Sequence, residues 1–277
     1  MRGKRVIFMG DSMNRSMMQS LVCMLRASLS NTSRVYVDRN KEFAARGYYS
    51  FIFEDYKFSL DHYQSPFLVK RVYEGSKEVN LRLDVMDEGT PAIRKSDVAI
   101  FNTAHWWNNE KTQGGKNYYQ EGNYVHPQLD HMKAFTKALK TWGKWIDHNI
   151  DHNKTQVFFH GITSTHYRGG QWNSGGKCHG ETKPILKESF LQEYPKQMRI
   201  FEKVSKAMRT PVVYLNTTKL TDFRKDAHVS IYYLERMSPE KEAKSLGLQD
   251  CGHWCMPGVP DAWNELLYYS LIMSGRV

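Results

Sequence analysis

The chain has 277 residues, 40% of them hydrophobic and 25% charged, a length and balance that suit one large α/β domain with ample material for a core. Its formal net charge is +10, but the Lys and Arg residues are scattered and no nucleic-acid-binding motif is present, so a nucleic-acid partner is set aside. The basic charge reads as a solvated surface, with uronic-acid-bearing polysaccharide as the alternative partner, and the first apolar run, Val6 to Met9, is too short for a signal peptide or a membrane span.

That run ends in Gly10-Asp11-Ser12 and is followed at once by a segment with apolar residues at Met17, Leu21, Met24, Leu25 and Leu29. The pattern predicts a strand, a tight turn and a helix from Met13 to Leu29, with Asp11 or Ser12 as the cap. A serine on such a turn, beside a helix N-terminus, is where α/β hydrolases expose a nucleophile; a plain capped helix start is the bland alternative. Residues 48–86 read as β-strands, with a hairpin added to a parallel sheet. Val98 to Asn102 reads as a buried strand ending in a polar residue. Asn102 is therefore a candidate oxyanion donor, or else a turn cap. His105, Trp106 and Trp107 follow on the same rim as candidate substrate-binding residues.

Residues 109–125 carry no periodicity and read as a loop near the cleft. Pro127 to Asn149 predicts a long helix, with Phe135, Leu139, Trp142 and Ile146 on one face. His148 and His152 have metal-compatible spacing, but without a third ligand they read as a solvated helix end. A strand over 156–161 leads to a polar loop containing His166, to which a substrate-binding or loop-ordering role is assigned. A helix over 193–208, a strand over 211–216, an ion-paired loop of Arg224, Asp226 and His228, and a last helix from Pro260 to Met273 complete the chain. Strand–helix alternations starting near 5, 97, 156 and 211 predict a flavodoxin-like, mostly parallel sheet with helices on both faces.

Near the C-terminus stands Asp250-Cys251-Gly252-His253. An acid three residues before a histidine supplies a general base and its orienter, which a serine needs to attack a carbonyl. Gly-Asp-Ser, DCGHWCMPGVPDAWNELLYYSL, FNTAHWW, THYRGGQWNSGGKC, LTDFRKDAH and LRLDVMDE together resemble the plant trichome birefringence-like family, within the SGNH (GDSL-like) superfamily. The resemblance covers nearly the whole chain. It implies one catalytic domain over 1–277, an SGNH three-layer sandwich, and transfer of acetyl groups to a cell-wall polysaccharide in the Golgi lumen, with xylan favoured as acceptor. Ser12, Asp250 and His253 are the implied triad, Arg15 joins Asn102 at the oxyanion, and Trp254 adds to the substrate-binding set. No bound cofactor is implied. An acetyl donor is required, with acetyl-CoA one candidate. An acetylesterase with the same triad and a non-catalytic polysaccharide-binding protein are the alternatives. The family's membrane anchor and cysteine-bearing segment lie upstream of what this chain matches.

Of the four cysteines, Cys251 and Cys255 flank His253, but zinc sites usually use tighter pairs and there is no second pair. Disulfides fit better. The family pattern implies Cys178–Cys251, with Cys23 and Cys255 paired to upstream cysteines. Sequons at Asn31, Asn153 and Asn216 agree with passage through the secretory pathway, whereas Asn14, beside the serine, reads as unmodified.

Overall fold

A computed structural model describes residues 1–38, 47–232 and 249–275. Its centre is a seven-stranded sheet. Five strands run parallel: β1 (Arg5–Gly10), β4 (Phe58–Gln64), β7 (Val98–Phe101), β10 (Gln156–His160) and β11 (Val212–Leu215). Two antiparallel strands, β2 (Val35–Asp38) and β3 (Tyr49–Phe53), extend one edge, giving the order β11-β10-β7-β1-β4-β3-β2. Among the parallel strands the chain order reverses at β1. This is the flavodoxin-like arrangement, whose ligand crevice lies at the carboxyl ends of the strands on either side of the reversal.

The near-continuous apolar runs in β1, β7 and β10 follow from burial on both faces. Side chains alternate between layers: Val6 and Phe8 pack with Met13, Met17 and Met18, while Ile7 and Met9 pack on the opposite side with Phe135, Trp142 and Phe201. The first layer holds α1 (Ser12–Ala27) and α5 (Val259–Met273). The second holds α2 (His131–Asn149) and α3 (Lys196–Ser205); the short α4 (Thr218–Asp222) follows β11. The three methionines are buried core residues, and Met13 also borders the cleft beside Ser12.

Several boundaries differ from the sequence reading. Asp130 caps α2 by accepting from the amides of Met132 and Lys133, so that helix begins after Pro127. Pro195 occupies the cap position of α3. The hairpin of residues 49–64 is more than an appendage, because β4 pairs in parallel with β1 over its whole length. The remainder of that stretch, β5 (Val69–Glu74) and β6 (Lys77–Met86), starts a second, four-stranded sheet. That sheet takes in β8 (Tyr119–Glu121) and β9 (Tyr124–Val125), from the stretch expected to be a loop. Strands of three and two residues are too short to show a period of two, and Gly122, at φ 55°, makes the turn between them.

The two ends of the chain meet through α1 and α5. Asn264 donates to the Met17 carbonyl at 3.0 Å and to Ser20 Oγ at 2.9 Å, and Ser20 donates to Asp261. Asp261 also accepts from the Gly258 amide at 2.9 Å, closing the first turn of α5. This junction delivers β13 (Asp250–Trp254), paired with β12 (His228–Ser230), to the N-terminus of α1.

Candidate active site

The turn after β1 is built on close contact. A Cβ on Gly10 would lie 1.9 Å from Asn102 Oδ1 and 2.6 Å from the Asn102 carbonyl oxygen, so only glycine fits. That proximity lets the Asp11 amide donate to Asn102 Oδ1 at 2.9 Å while Asn102 Nδ2 donates to Asp11 Oδ1 at 2.7 Å. Asp11 Oδ1 also accepts from the Met13 amide at 2.9 Å, which caps α1. Asn102 is 2% exposed and bonds Asp11 through both ends of its amide, so its place is behind the turn, as a brace for it. Gly10→Ala should therefore cost about 1–3 kcal/mol, read from urea unfolding, because the methyl must displace Asn102. An unchanged midpoint would mean that the turn is not held this way.

Ser12 is the first residue of α1, where the backbone amide has no partner within the helix. Its Oγ lies 2.7 Å from His253 Nε2, and His253 Nδ1 lies 2.8 Å from Asp250 Oδ2. Asp250 Oδ1 accepts from the amides of Gly252, at 3.1 Å, and His253, at 2.9 Å. The carboxylate therefore accepts a hydrogen bond from Nδ1–H, leaving the Nε2 lone pair facing the serine hydroxyl. Burial works against charge on Asp250, but the His253 ring and the two amides outweigh it and hold the carboxyl below its usual range. A hydroxyl and an imidazole separated by 241 positions of sequence are thus in line for proton transfer, with Asp250 orienting the ring.

A second acid–histidine contact backs the turn. His105 Nε2 lies 3.0 Å from the Thr163 carbonyl and so carries a proton, and Nδ1 faces Asp11 Oδ2 at 3.6 Å. Burial opposes the charge on both groups, yet each supports the other: Asp11 is held below the usual carboxylate range and His105 above the usual histidine range.

Other histidines are buried without such a partner. Burial pushes His62 down to about 4 and His160 down to about 3, from an ordinary value of 6.5. Both stay neutral in the fold while the unfolded chain takes up protons, so their contribution is complete above about 6.5 and shrinks as pH falls toward 4. His105 acts with the opposite sign: its contribution is complete below 6.5 and is lost as pH rises through its raised folded value. The urea midpoint should peak near neutrality and decline on the acid side with net proton uptake on unfolding. A midpoint that is flat from pH 7 to 4.5 would contradict this.

The triad opens into a cleft of about 1440 Å³, bordered by Arg15, Trp106, Lys111, Trp172 and Tyr194 among others. Arg15 is exposed, and among the described residues its guanidinium has no hydrogen bond or ion pair. Lys111 Nζ sits 5.2 Å from the centre of the Trp106 ring and 4.8 Å from that of Trp172, linking two indoles on one rim. Glu110 accepts from Asn173 at 3.0 Å and joins the same two loops. The sequence reading missed Trp172, although the Gly-rich loop that carries it was in view.

Two tryptophans expected on the substrate surface are instead packing residues. Trp107 borders the cleft but is 1% exposed; its Nε1 donates to Thr103 Oγ1 at 2.8 Å, and its ring packs on Phe67 and Phe135. Trp254 is 2% exposed and stacks on His228 with ring centres 4.0 Å apart. Alternation along β13 explains this, since His253 and Trp254 point to opposite sides. His166 is nearly buried behind the base and bonds His228. Arg224 pairs with Asp226 at 2.9 Å as expected, but His228 stands outside that pair.

Cys178 and Cys251 form a disulfide with Cα atoms 5.8 Å apart, joining the 165–178 loop to the strand that carries the base. Cys23 and Cys255 are exposed and free. Asn31, Asn153 and Asn216 are exposed, whereas Asn14 is fully buried and donates to the carbonyls of Met9 and Ile100. Among the described residues no helix is long and apolar enough to cross a membrane, and no three His, Cys, Asp or Glu side chains gather as a metal site.

Comparison with known proteins gives the family. Residues 1–270 match the family model described as the GDSL/SGNH-like acyl-esterase family found in Pmr5 and Cas1p. Three Arabidopsis thaliana proteins are similar over nearly the whole chain. Protein trichome birefringence-like 1 is 48% identical over 99% of this chain and 50% of its own length. Protein trichome birefringence is 46% identical over 99% of this chain and 46% of its own length. Protein trichome birefringence-like 42 is 39% identical over 98% of this chain and 71% of its own length. The chain spans about half the length of the first two relatives. The chain belongs to the trichome birefringence-like branch of the GDSL/SGNH-like acyl-esterase family.

Proposed function

We propose that the protein is an O-acetyltransferase that moves an acetyl group from a donor ester to a hydroxyl of a plant cell-wall polysaccharide, with xylan the first acceptor to test. The observation that carries the reading is the Ser12–His253–Asp250 line at the mouth of a cleft far larger than an acetyl group needs. In the first half-reaction His253 Nε2 takes the Ser12 proton as Oγ bonds to the acetyl carbonyl carbon. The tetrahedral intermediate expels the donor's leaving group, which receives that proton from His253. In the second, a sugar hydroxyl gives its proton to His253 and attacks the acetyl-serine, and Ser12 leaves, regaining a proton from the imidazolium. The Ser12 amide and the Arg15 guanidinium are the donors proposed for the oxyanion. Asn102 braces the turn that aims the Ser12 amide.

Water in place of the sugar turns the same steps into hydrolysis. The open rim of Trp106 and Trp172 favours a sugar, because indole faces stack on pyranose rings. The disulfide and the exposed sequons support a secretory, Golgi-luminal setting. The test is incubation with p-nitrophenyl acetate or acetyl-CoA and a panel of xylan, mannan, xyloglucan and pectin oligosaccharides, followed by weighing the products. Acetylated oligosaccharide supports transfer. Donor loss without it supports an esterase, and retention of oligosaccharide without reaction supports a binding protein.

A further inference from the structure

Behind His253 lies a chain of polar groups that the mechanism above does not use. His228 Nδ1 is 2.9 Å from the carbonyl oxygen of His253, and His228 Nε2 is 2.7 Å from His166 Nδ1. His166 Nε2 is 3.0 Å from the carbonyl oxygen of Asp222 and 3.3 Å from its Oδ1. Asp222 Oδ2 accepts from the Gln192 amide, at 2.6 Å, and the side chain is 4% exposed.

The hydrogens can be counted. His228 Nδ1 faces a carbonyl and must carry one. His166 Nε2 faces a carbonyl and a carboxylate and must carry another. The short contact between the two rings needs a third. Three protons on four ring nitrogens leave the pair with one positive charge, whichever ring holds the middle proton. Asp222 is the carboxylate in contact with the pair, and it touches His166. That contact, which His228 lacks, places the charge on His166.

We propose that this Asp222–His166–His228 chain is a charged positioning device for the catalytic base. A carboxylate and an imidazolium fix the tautomer of His228, so that its Nδ1–H clamps the main-chain carbonyl of His253. Asp250 Oδ1 already holds the amide of the same residue. The backbone of the base is thereby fixed on both sides, and its ring keeps the bearing that puts Nε2 on Ser12. The sequence hides this, because Asp222 and His228 lie 56 and 62 positions from His166 and none of the three lies in the Gly-Asp-Ser or Asp-x-x-His motif. A residue that aims a base acts on turnover more than on binding, since a displacement of about 1 Å costs up to a hundredfold in rate.

The part about turnover rests on the acyl-transfer reading; the proton count does not. Imidazole nitrogen NMR of the ¹⁵N-histidine protein should show His166 protonated on both nitrogens and His228 protonated on Nδ1. One proton on each ring would overturn the count. With p-nitrophenyl acetate as the probe, His228→Leu should lower kcat about tenfold with KM within about twofold. His228→Asn, whose amide takes the place of Nδ1–H, should recover most of that loss. Equal loss in both variants, or a loss confined to KM, would overturn the positioning role. A third readout needs no activity: the His253 Nδ1–H signal should persist in His228→Asn and broaden or vanish in His228→Leu, and a signal unchanged in both would overturn the role. Should the unaltered protein show no Ser12-dependent turnover, the acyl-transfer reading falls, and these resonances still decide the inference.

Discussion

Asp250→Asn should lower kcat by about 10³ to 10⁴-fold, about 4–5.5 kcal/mol in barrier, while leaving the fold intact. The reason is local. Asp250 Oδ1 is held by the amides of Gly252 and His253. An asparagine satisfies those two donors only with its carbonyl oxygen, so its NH₂ must turn toward His253 Nδ1. The imidazole then has to accept at Nδ1 and carry its proton on Nε2, aimed at the Ser12 hydroxyl it should deprotonate. The base is present in the wrong tautomer. Steady-state kinetics with p-nitrophenyl acetate, beside a thermal melt matching that of the unaltered protein, checks this. Activity within tenfold of the original would mean that the carboxylate does not orient the base.

Ser12→Ala has the larger expected effect, a loss on the order of 10³ to 10⁶-fold in acetyl transfer. The side chain is small and half-buried at the mouth of the cleft, so its removal should leave stability within about 0.5 kcal/mol. Residual turnover would come from the cleft and the oxyanion donors acting on water or sugar directly. The non-additivity of residues that act as a unit gives a further expectation: Ser12→Ala combined with His253→Ala should be barely worse than either alone. Multiplicative losses would mean that the two side chains work in separate steps.

Much of this site was legible in the chain because the signals were local. Gly10 with a capping acid marked the turn, three-residue spacing marked the acid–base pair, and apolar runs bounded by polar ends marked the core strands. The parallel core and its helices followed from the alternation of such runs. What stayed hidden depended on contacts distant in sequence. Asn102 ends a buried strand, as an oxyanion donor would, but its orientation is set by Asp11 across the turn. Trp107 and Trp254 stand next to cleft residues in sequence, but Trp107 is packed into the cleft wall and Trp254 lies outside the cleft. Because β-strand neighbours point oppositely, adjacency to His253 argued against exposure of Trp254. Strand β4 reads alone as half of a hairpin; its parallel pairing with β1 depends on neither turn nor period, but on which sheet edge is free. The short strands β8 and β9 borrow their order from β6 and carry no pattern of their own.

The measurement that bears most directly on the account is the mass of the Ser12-bearing peptide after rapid acid quench of the protein with an acetyl donor. One acetyl group on Ser12, formed and discharged at rates that account for turnover and lost on addition of acceptor oligosaccharide, is the predicted result. Product that accumulates at the normal rate with Ser12 never acetylated, or in the Ser12→Ala variant, would contradict it.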